Sequence, residues 1–118
     1  MSLVFFAIAA GIGGFVRFLV EQRIQPIGKD AFPRATLYVN LAGAFLLGLV
    51  FSAPESFYTI IGIAFCGALT TFSGISAQLM RRVSSGAIWA ATSYVVITFG
   101  IGLVLAQLGL LIGDFIFN

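Results

Sequence analysis

The sequence predicts an all-α membrane protein with four transmembrane helices, and three observations predict it. Of 118 residues, 60% are apolar and only 8% are charged, whereas a soluble domain is nearer half apolar and a quarter charged. The apolar positions gather into four runs, each close to the roughly 20 residues that a crossing helix needs. Backbone polar groups in lipid have to bond internally, so each run is expected as a helix. A β-barrel would show short alternating segments instead. The chain has no His and a single Cys, Cys66, which excludes His-based catalysis, an internal disulfide and the usual Cys/His zinc sites. A net charge of +2 is too small to indicate nucleic acid, and basic residues here report orientation first. No enzyme is expected.

The first run, 3–20, has no Pro and one charge, Arg17, near its end. It lacks the basic lead and the small-residue cleavage site of a signal peptide, so it is expected to be a span. The only long polar stretch, 21–35, holds Arg23, Pro26, Gly28, Lys29, Asp30, Pro33 and Arg34. The second run is 36–53, after which Pro54, Glu55 and Ser56 are expected to turn. The third run is 57–80 and the fourth 87–109, with Arg81 and Arg82 in the gap between them. Residues 1–118 therefore read as a single transmembrane domain.

Four spans put loops one and three on one side, and loop two with both termini on the other. All six Lys and Arg residues fall in or beside loops one and three. The positive-inside rule places those loops in the cytoplasm and both termini outside, in the plasma membrane.

Small residues recur at steps of four: Ala7 and Gly11, Ala10 and Gly14, Ala44 and Gly48. The fourth run adds a stripe of Gly86, Ala90, Tyr94, Thr98, Gly102 and Ala106. Such faces let helix backbones approach closely. Four short helices cannot enclose an aqueous path alone, so these faces are expected to pack both the bundle and an oligomer. Gly11-Ile12-Gly13-Gly14 lies inside an apolar run, so it is no nucleotide-binding fingerprint.

The third run is where chemistry is expected. Between 67 and 76 it places Gly67, Thr70, Thr71, Ser73, Gly74 and Ser76 at mid-span. Thr is a mediocre helix former and Gly a poor one. A broken helix would free carbonyls that suit a hard cation such as Na⁺, beside hydroxyl donors that suit an anion. The alternative is that Ser and Thr bond back to carbonyls one turn earlier. Asn40, several residues into the second run, is either interhelical glue or a donor on an ion path. Tyr94 and Thr98 stand one turn apart and could form a polar track. Glu21, Asp30, Glu55 and Asp114 all lie in loops, at span ends or in the tail, which argues against a proton-coupled carrier.

Three motifs resemble the small fluoride channels of the Fluc/CrcB family. They are Gly11-x-Gly-Gly-x-x-Arg17-Phe18, Thr36-Leu-x-Val-Asn40-x-x-Gly43 and Phe65-Cys-Gly67-x-x-Thr-Thr-Phe72-Ser73. The resemblance implies an antiparallel dimer that exports fluoride passively, with a third helix broken mid-membrane and a structural Na⁺ at the dimer centre. It implies that Asn40 lines the pore and that the ring edge of Phe72 contacts fluoride. It implies that the carbonyls of Gly67 and Thr70 hold Na⁺, that Tyr94 and Thr98 form the polar track, and that Arg17 is the family's Arg at the end of the first helix. Fluoride is strongly hydrated, so a pore has to replace water with donors, which Asn40, Ser73, Tyr94 and Thr98 can supply. An aromatic edge is electropositive and offers a weak contact that does not trap the ion.

The sequence departs from the family pattern at three positions. Ile75 replaces a second Phe of the pore, Gln78 replaces a Glu, and Gly102 stands where another hydroxyl is expected. A symmetric antiparallel dimer also needs one sequence to insert both ways, against the one-sided charge. These departures lead to an expected partnership with an inverted paralogue. The alternatives are a self-sufficient homodimer, a small four-helix ion or cation antiporter, and a non-conducting scaffold.

Overall fold

The structure, a computed structural model, describes residues 3–24 and 34–118. Five helices follow in order: α1 (Leu3–Arg23), α2 (Arg34–Val50), α3 (residues 55–69), α4 (Phe72–Ser84) and α5 (Ile88–Phe117). No strand occurs among the described residues. Leu3–Arg23, Glu55–Ser84 and Ile88–Phe117 are long and apolar enough to cross a membrane, with α3 and α4 counted together. Helix α2 is apolar but has 17 residues, about 26 Å at 1.5 Å per residue. The expected polar stretch around Lys29 and Asp30 lies outside the described residues.

Each helix follows from its residues. Helix α1 has no Pro or β-branched cluster and buries only Ala9 and Gly13. Its outer face, with Leu3, Phe5 and Phe15, is exposed and apolar, as a lipid-facing helix requires. Helix α2 ends earlier than expected, at Val50, and the turn falls at Phe51–Ala53 rather than at Pro54–Ser56. Pro54 (φ −52°, ψ 148°) instead opens α3, with Glu55 and Ser56 already helical. Proline lacks an N–H that a first turn would leave unbonded anyway, so it starts helices better than it turns them. Ser52 in that turn donates to the Asp114 carboxylate near the far end of α5. Helix α5 runs on past the expected end at 109 because residues 110–117 are apolar apart from Gly113 and Asp114.

Within α3, Tyr58–Cys66 winds as a π-helix, a wider and rarer form than α. Helical geometry stops at Leu69. Thr70 (φ −83°, ψ 161°) and Thr71 (φ −149°, ψ 119°) are extended, and α4 starts at Phe72. Between α4 and α5 the chain reverses through Gly86, whose φ of +84° is strained for any residue with a Cβ. The Ala87 N–H closes this reversal on the Arg82 carbonyl at 2.8 Å.

Among the described residues the most extensive helix–helix contact joins α2 to α5. Here the backbones touch. A Cβ on Gly48 would collide with the Ala106 carbonyl, and one on Gly109 would collide with the Phe45 carbonyl. The expected Ala44–Gly48 and Ala106 faces therefore meet, and Gly109 and Gly113 extend the seam beyond the expected stripe. On α1 a different pair is used. Gly13 abuts the Phe65 carbonyl of α3, whereas a Cβ on Gly11 or Gly14 would meet nothing within 4 Å. Of the overlapping small-residue faces on α1, the inner one is Ala9–Gly13. Spacing alone cannot select among faces offset by one residue. A compact cluster of Leu37, Ile75 and Tyr94, flanked by Leu41 and Ile97, ties α2, α4 and α5 together.

Overpacking a tight seam typically costs about 1–3 kcal/mol. Gly48→Leu is accordingly expected to lower the thermal unfolding midpoint of detergent-solubilised protein by several degrees. Gly11→Ala, on an open face, leaves the midpoint unchanged or raises it.

Candidate functional site

The site is organised by the two extended residues between α3 and α4. Asn40, on α2, faces them. Its Oδ1 accepts the Thr71 N–H at 2.8 Å, and its Nδ2 donates to the Thr71 carbonyl at 3.2 Å. In a continuous helix the Thr71 N–H would bond the Gly67 carbonyl, four residues back. Its diversion to Asn40 leaves that carbonyl without its helical donor. Of the two readings of Asn40, interhelical glue is present directly, and one N–H of the amide is left over for another acceptor.

Thr71 also caps α4. Its Oγ1 accepts the Gly74 N–H at 3.0 Å and lies 3.1 Å from the Ser73 Oγ. A Thr at this position satisfies one of the unbonded N–H groups that open every helix. Thr70 behaves as the local-bonding alternative expected. Its N–H and Oγ1 both reach the Cys66 carbonyl, at 3.0 and 2.9 Å. The end of α3 thus offers carbonyl oxygens and the start of α4 offers N–H groups, so opposite partial charges face each other across two residues.

Two hollows flank this point. The larger is an open groove of about 810 Å³, whose lining includes Asn40, Gly67, Thr70, Phe72, Ile75 and Thr98. The other, of about 560 Å³, brings Arg17 and Glu21 of α1 to Thr71, Ser73 and Gly74. Thr71 lines both. The candidate residues are therefore split: Asn40, Phe72, Ile75 and Thr98 on one side, Ser73 and Arg17 on the other. Phe72 is 71% exposed. Ile75 is buried against Leu37 and Tyr94, and so belongs to the core as much as to the groove. Tyr94 is fully buried and borders neither hollow. The Thr98 Oγ1 is buried with no hydrogen-bond partner among the described residues.

At Gly67 and Thr70 only backbone carbonyls could serve a hard cation, as the sequence reading expects. The Gly67 carbonyl lacks its helical donor, and a Cβ on Gly67 would meet nothing within 4 Å, so the position is open. No cluster of three or more His, Cys, Asp or Glu that could hold a metal exists among the described residues. Sequence reasoning placed Thr71 in the hydroxyl cluster but did not give it a role. The signal was a Thr three residues before a Gly N–H at a helix start, readable only once the restart at Phe72 is known.

Replacing an N-cap Thr costs about 1 kcal/mol. Thr71→Val is expected to destabilise by that amount and to speed hydrogen exchange at the amides of Ser73 and Gly74. Unchanged exchange there would remove Thr71 as the cap.

The geometry can be set beside known proteins. The family described as "CrcB-like protein, Camphor Resistance (CrcB)" matches residues 4–110. "Fluoride-specific ion channel FluC 1" of Streptococcus pneumoniae (strain ATCC BAA-255 / R6) is 38% identical over 114 residues, covering 95% of this chain and 100% of that protein. "Fluoride-specific ion channel FluC 2" of Lactobacillus johnsonii is 36% identical over 115 residues, covering 92% and 97%. "Fluoride-specific ion channel FluC" of Shewanella pealeana is 32% identical over 115 residues, covering 92% of each. These relatives are named as channels, in keeping with the expectation of a non-enzyme. A family match over most of the chain, with relatives of similar length aligned nearly end to end, makes this chain a member of the CrcB-like family.

Proposed function

We propose that the chain is a subunit of a passive, fluoride-selective channel that exports fluoride from the cytoplasm. The observation that carries this reading is the interruption at Thr70–Thr71, clamped by Asn40 and set between two hollows. Its neighbours supply weak, dispersed donors rather than a tight cage: the spare N–H of Asn40, the Ser73 hydroxyl, the Thr98 hydroxyl and the outward Phe72 edge. Conduction needs binding strong enough to replace hydration and weak enough to release. The relatives' printed names support the same ion.

Four spans are part of the proposal, with α2 as the short one and the interruption at mid-membrane. Both termini lie outside and the basic loops in the cytoplasm of the plasma membrane. The open groove and exposed Phe72 call for a second, inverted subunit to close the path within the lipid bilayer. Na⁺ held by the carbonyls of Gly67 and Thr70 would neutralise the negative ends of two α3 helices where the subunits cross. Neither nucleic acid nor a titrating group at depth has a place in this scheme. The described carboxylates Glu21, Glu55 and Asp114 stand at helix ends, which disfavours an antiporter.

The partner is proposed to be a paralogue, because all Lys and Arg lie on one side and numerals in relatives' names fit organisms that hold two such chains. One observation favours a homodimer instead. Ile75 packs into the protomer's own core, so losing a Phe there alters packing before it alters a pore. Liposomes containing the chain alone, read with a fluoride electrode, decide between them. Silence alone with rapid efflux on adding the inverted paralogue is the expected result. Rapid efflux from the chain alone would overturn the heterodimer, and silence in both would overturn the channel.

Asn40→Asp removes the donor to the Thr71 carbonyl and puts a carboxylate beside the anion path. In the conducting assembly it is expected to cut fluoride flux at least about tenfold, the equivalent of about 1.4 kcal/mol. Undiminished flux would take Asn40 out of the pore.

A further inference from the structure

Asn40 and Gly43 stand three residues apart on α2, so they share a face. Asn40 holds the Thr71 peptide unit, and Gly43 meets the residue before it. A Cβ on Gly43 would collide with the Thr70 Cγ2, and would lie 3.6 Å from the Thr70 Cβ and 3.9 Å from the Cys66 carbonyl oxygen. Gly43 is buried, so nothing added there could swing clear into open space. The Thr70 side chain is fixed on its other side as well. Its Oγ1 donates to the Cys66 carbonyl at 2.9 Å, and its N–H reaches the same oxygen at 3.0 Å. In a β-branched side chain one torsion, χ1, places both γ atoms. A single rotamer of Thr70 therefore satisfies the hydroxyl bond and the Gly43 contact together. The backbone of Thr70 leaves the helix at φ −83°, ψ 161°, and the direction of its carbonyl follows from those angles.

We propose that Gly43 is a positioning residue for the interrupted helix: the space left by its missing side chain seats the Thr70 methyl and so sets the direction of the Thr70 carbonyl. A methyl on Gly43 could be relieved by turning χ1 of Thr70 only at the expense of the hydroxyl bond to Cys66, because the two γ atoms move as one. The other reliefs are a shift of the Thr70 backbone, which carries the carbonyl with it, or a retreat of α2, which pulls Asn40 off the Thr71 peptide. Each displaces the interruption. Helix α2 thus acts on it at two successive residues, by a polar clamp at Thr71 and by a notch at Thr70. This inference rests on the reading in which the Thr70 carbonyl serves Na⁺ and the interruption borders the fluoride path.

The test is a double-mutant cycle of wild type, Gly43→Ala, Thr70→Ser and the two combined. Thr70→Ser removes the methyl and keeps the hydroxyl. Two quantities are read on protein checked by size-exclusion chromatography: the rise in thermal midpoint when Na⁺ replaces K⁺, and fluoride efflux from liposomes in whichever assembly conducts. Overpacking of one methyl corresponds to roughly a tenfold effect. Gly43→Ala is expected to lower flux by about that factor and to lose most of the Na⁺-dependent rise. In the Thr70→Ser background the same substitution is expected to change flux by less than about twofold and to leave the rise in place. An equal effect of Gly43→Ala in both backgrounds, or none in either, would overturn the inference. So would a lowered midpoint with flux and the Na⁺-dependent rise intact, since that is what a merely structural contact predicts. If Gly43→Ala alone does not fold, the combined variant has to recover the flux and the rise of Thr70→Ser, and its failure to do so counts against the notch. A wild-type midpoint indifferent to Na⁺ removes the cation reading, and the flux cycle then decides. Absence of flux in every assembly removes the channel reading, and the Na⁺ cycle then decides; if both are absent, this inference goes with them.

Discussion

The middle of the chain's helix bundle depends on two hydrogen bonds between one side-chain amide and one peptide unit. An interrupted helix exposes a peptide N–H and C=O that lipid cannot satisfy. A side-chain amide in an apolar helix has the same two groups and the same difficulty. Asn40 and Thr71 resolve both at once, because an Asn amide offers the donor and acceptor pair of a peptide in matching geometry. Remove either side and both liabilities return. The clamp also fixes where α4 begins, so the Thr71 cap and the outward direction of Phe72 follow from it.

The clamp holds only if α2 is itself fixed, and the glycine seam fixes it. Lipid tails are as apolar as the side chains they would touch, so burial between helices adds little drive in a bilayer. Close backbone contact takes its place. Gly48 against Ala106, and Gly109 against Phe45, lock α2 to α5. That sets the helix bearing Asn40 against the helix bearing Tyr94 and Thr98. Ala9 and Gly13 do the same for α1 against α3.

The helices were legible because apolar runs in so short a chain have few other uses. Their ends were less so. Pro54 reads as a turn residue in a window of three, yet its position before Glu55 and Ser56 makes it a helix start. The far end of α5 was lost because a span of ordinary length already satisfies residues 87–109. The candidate residues around Thr70 stood out as hydroxyls and glycines out of place in lipid. Their directions did not. Two extended residues rotate α4 relative to α3 by an amount no periodicity encodes, so Ile75 could not be assigned to core or groove beforehand.

The helices differ in reach. Helix α2 extends about 26 Å and the 30-residue α5 about 45 Å, at 1.5 Å per residue. A hydrocarbon layer of about 30 Å is thicker than the first and thinner than the second. Because the two are locked along their glycine seam, neither can tilt to suit itself. Along the seam, the described part of α5 therefore reaches well beyond the described part of α2. Asn40 sits on α2, so whatever holds α2 against α5 also holds the clamp at Thr71 in place.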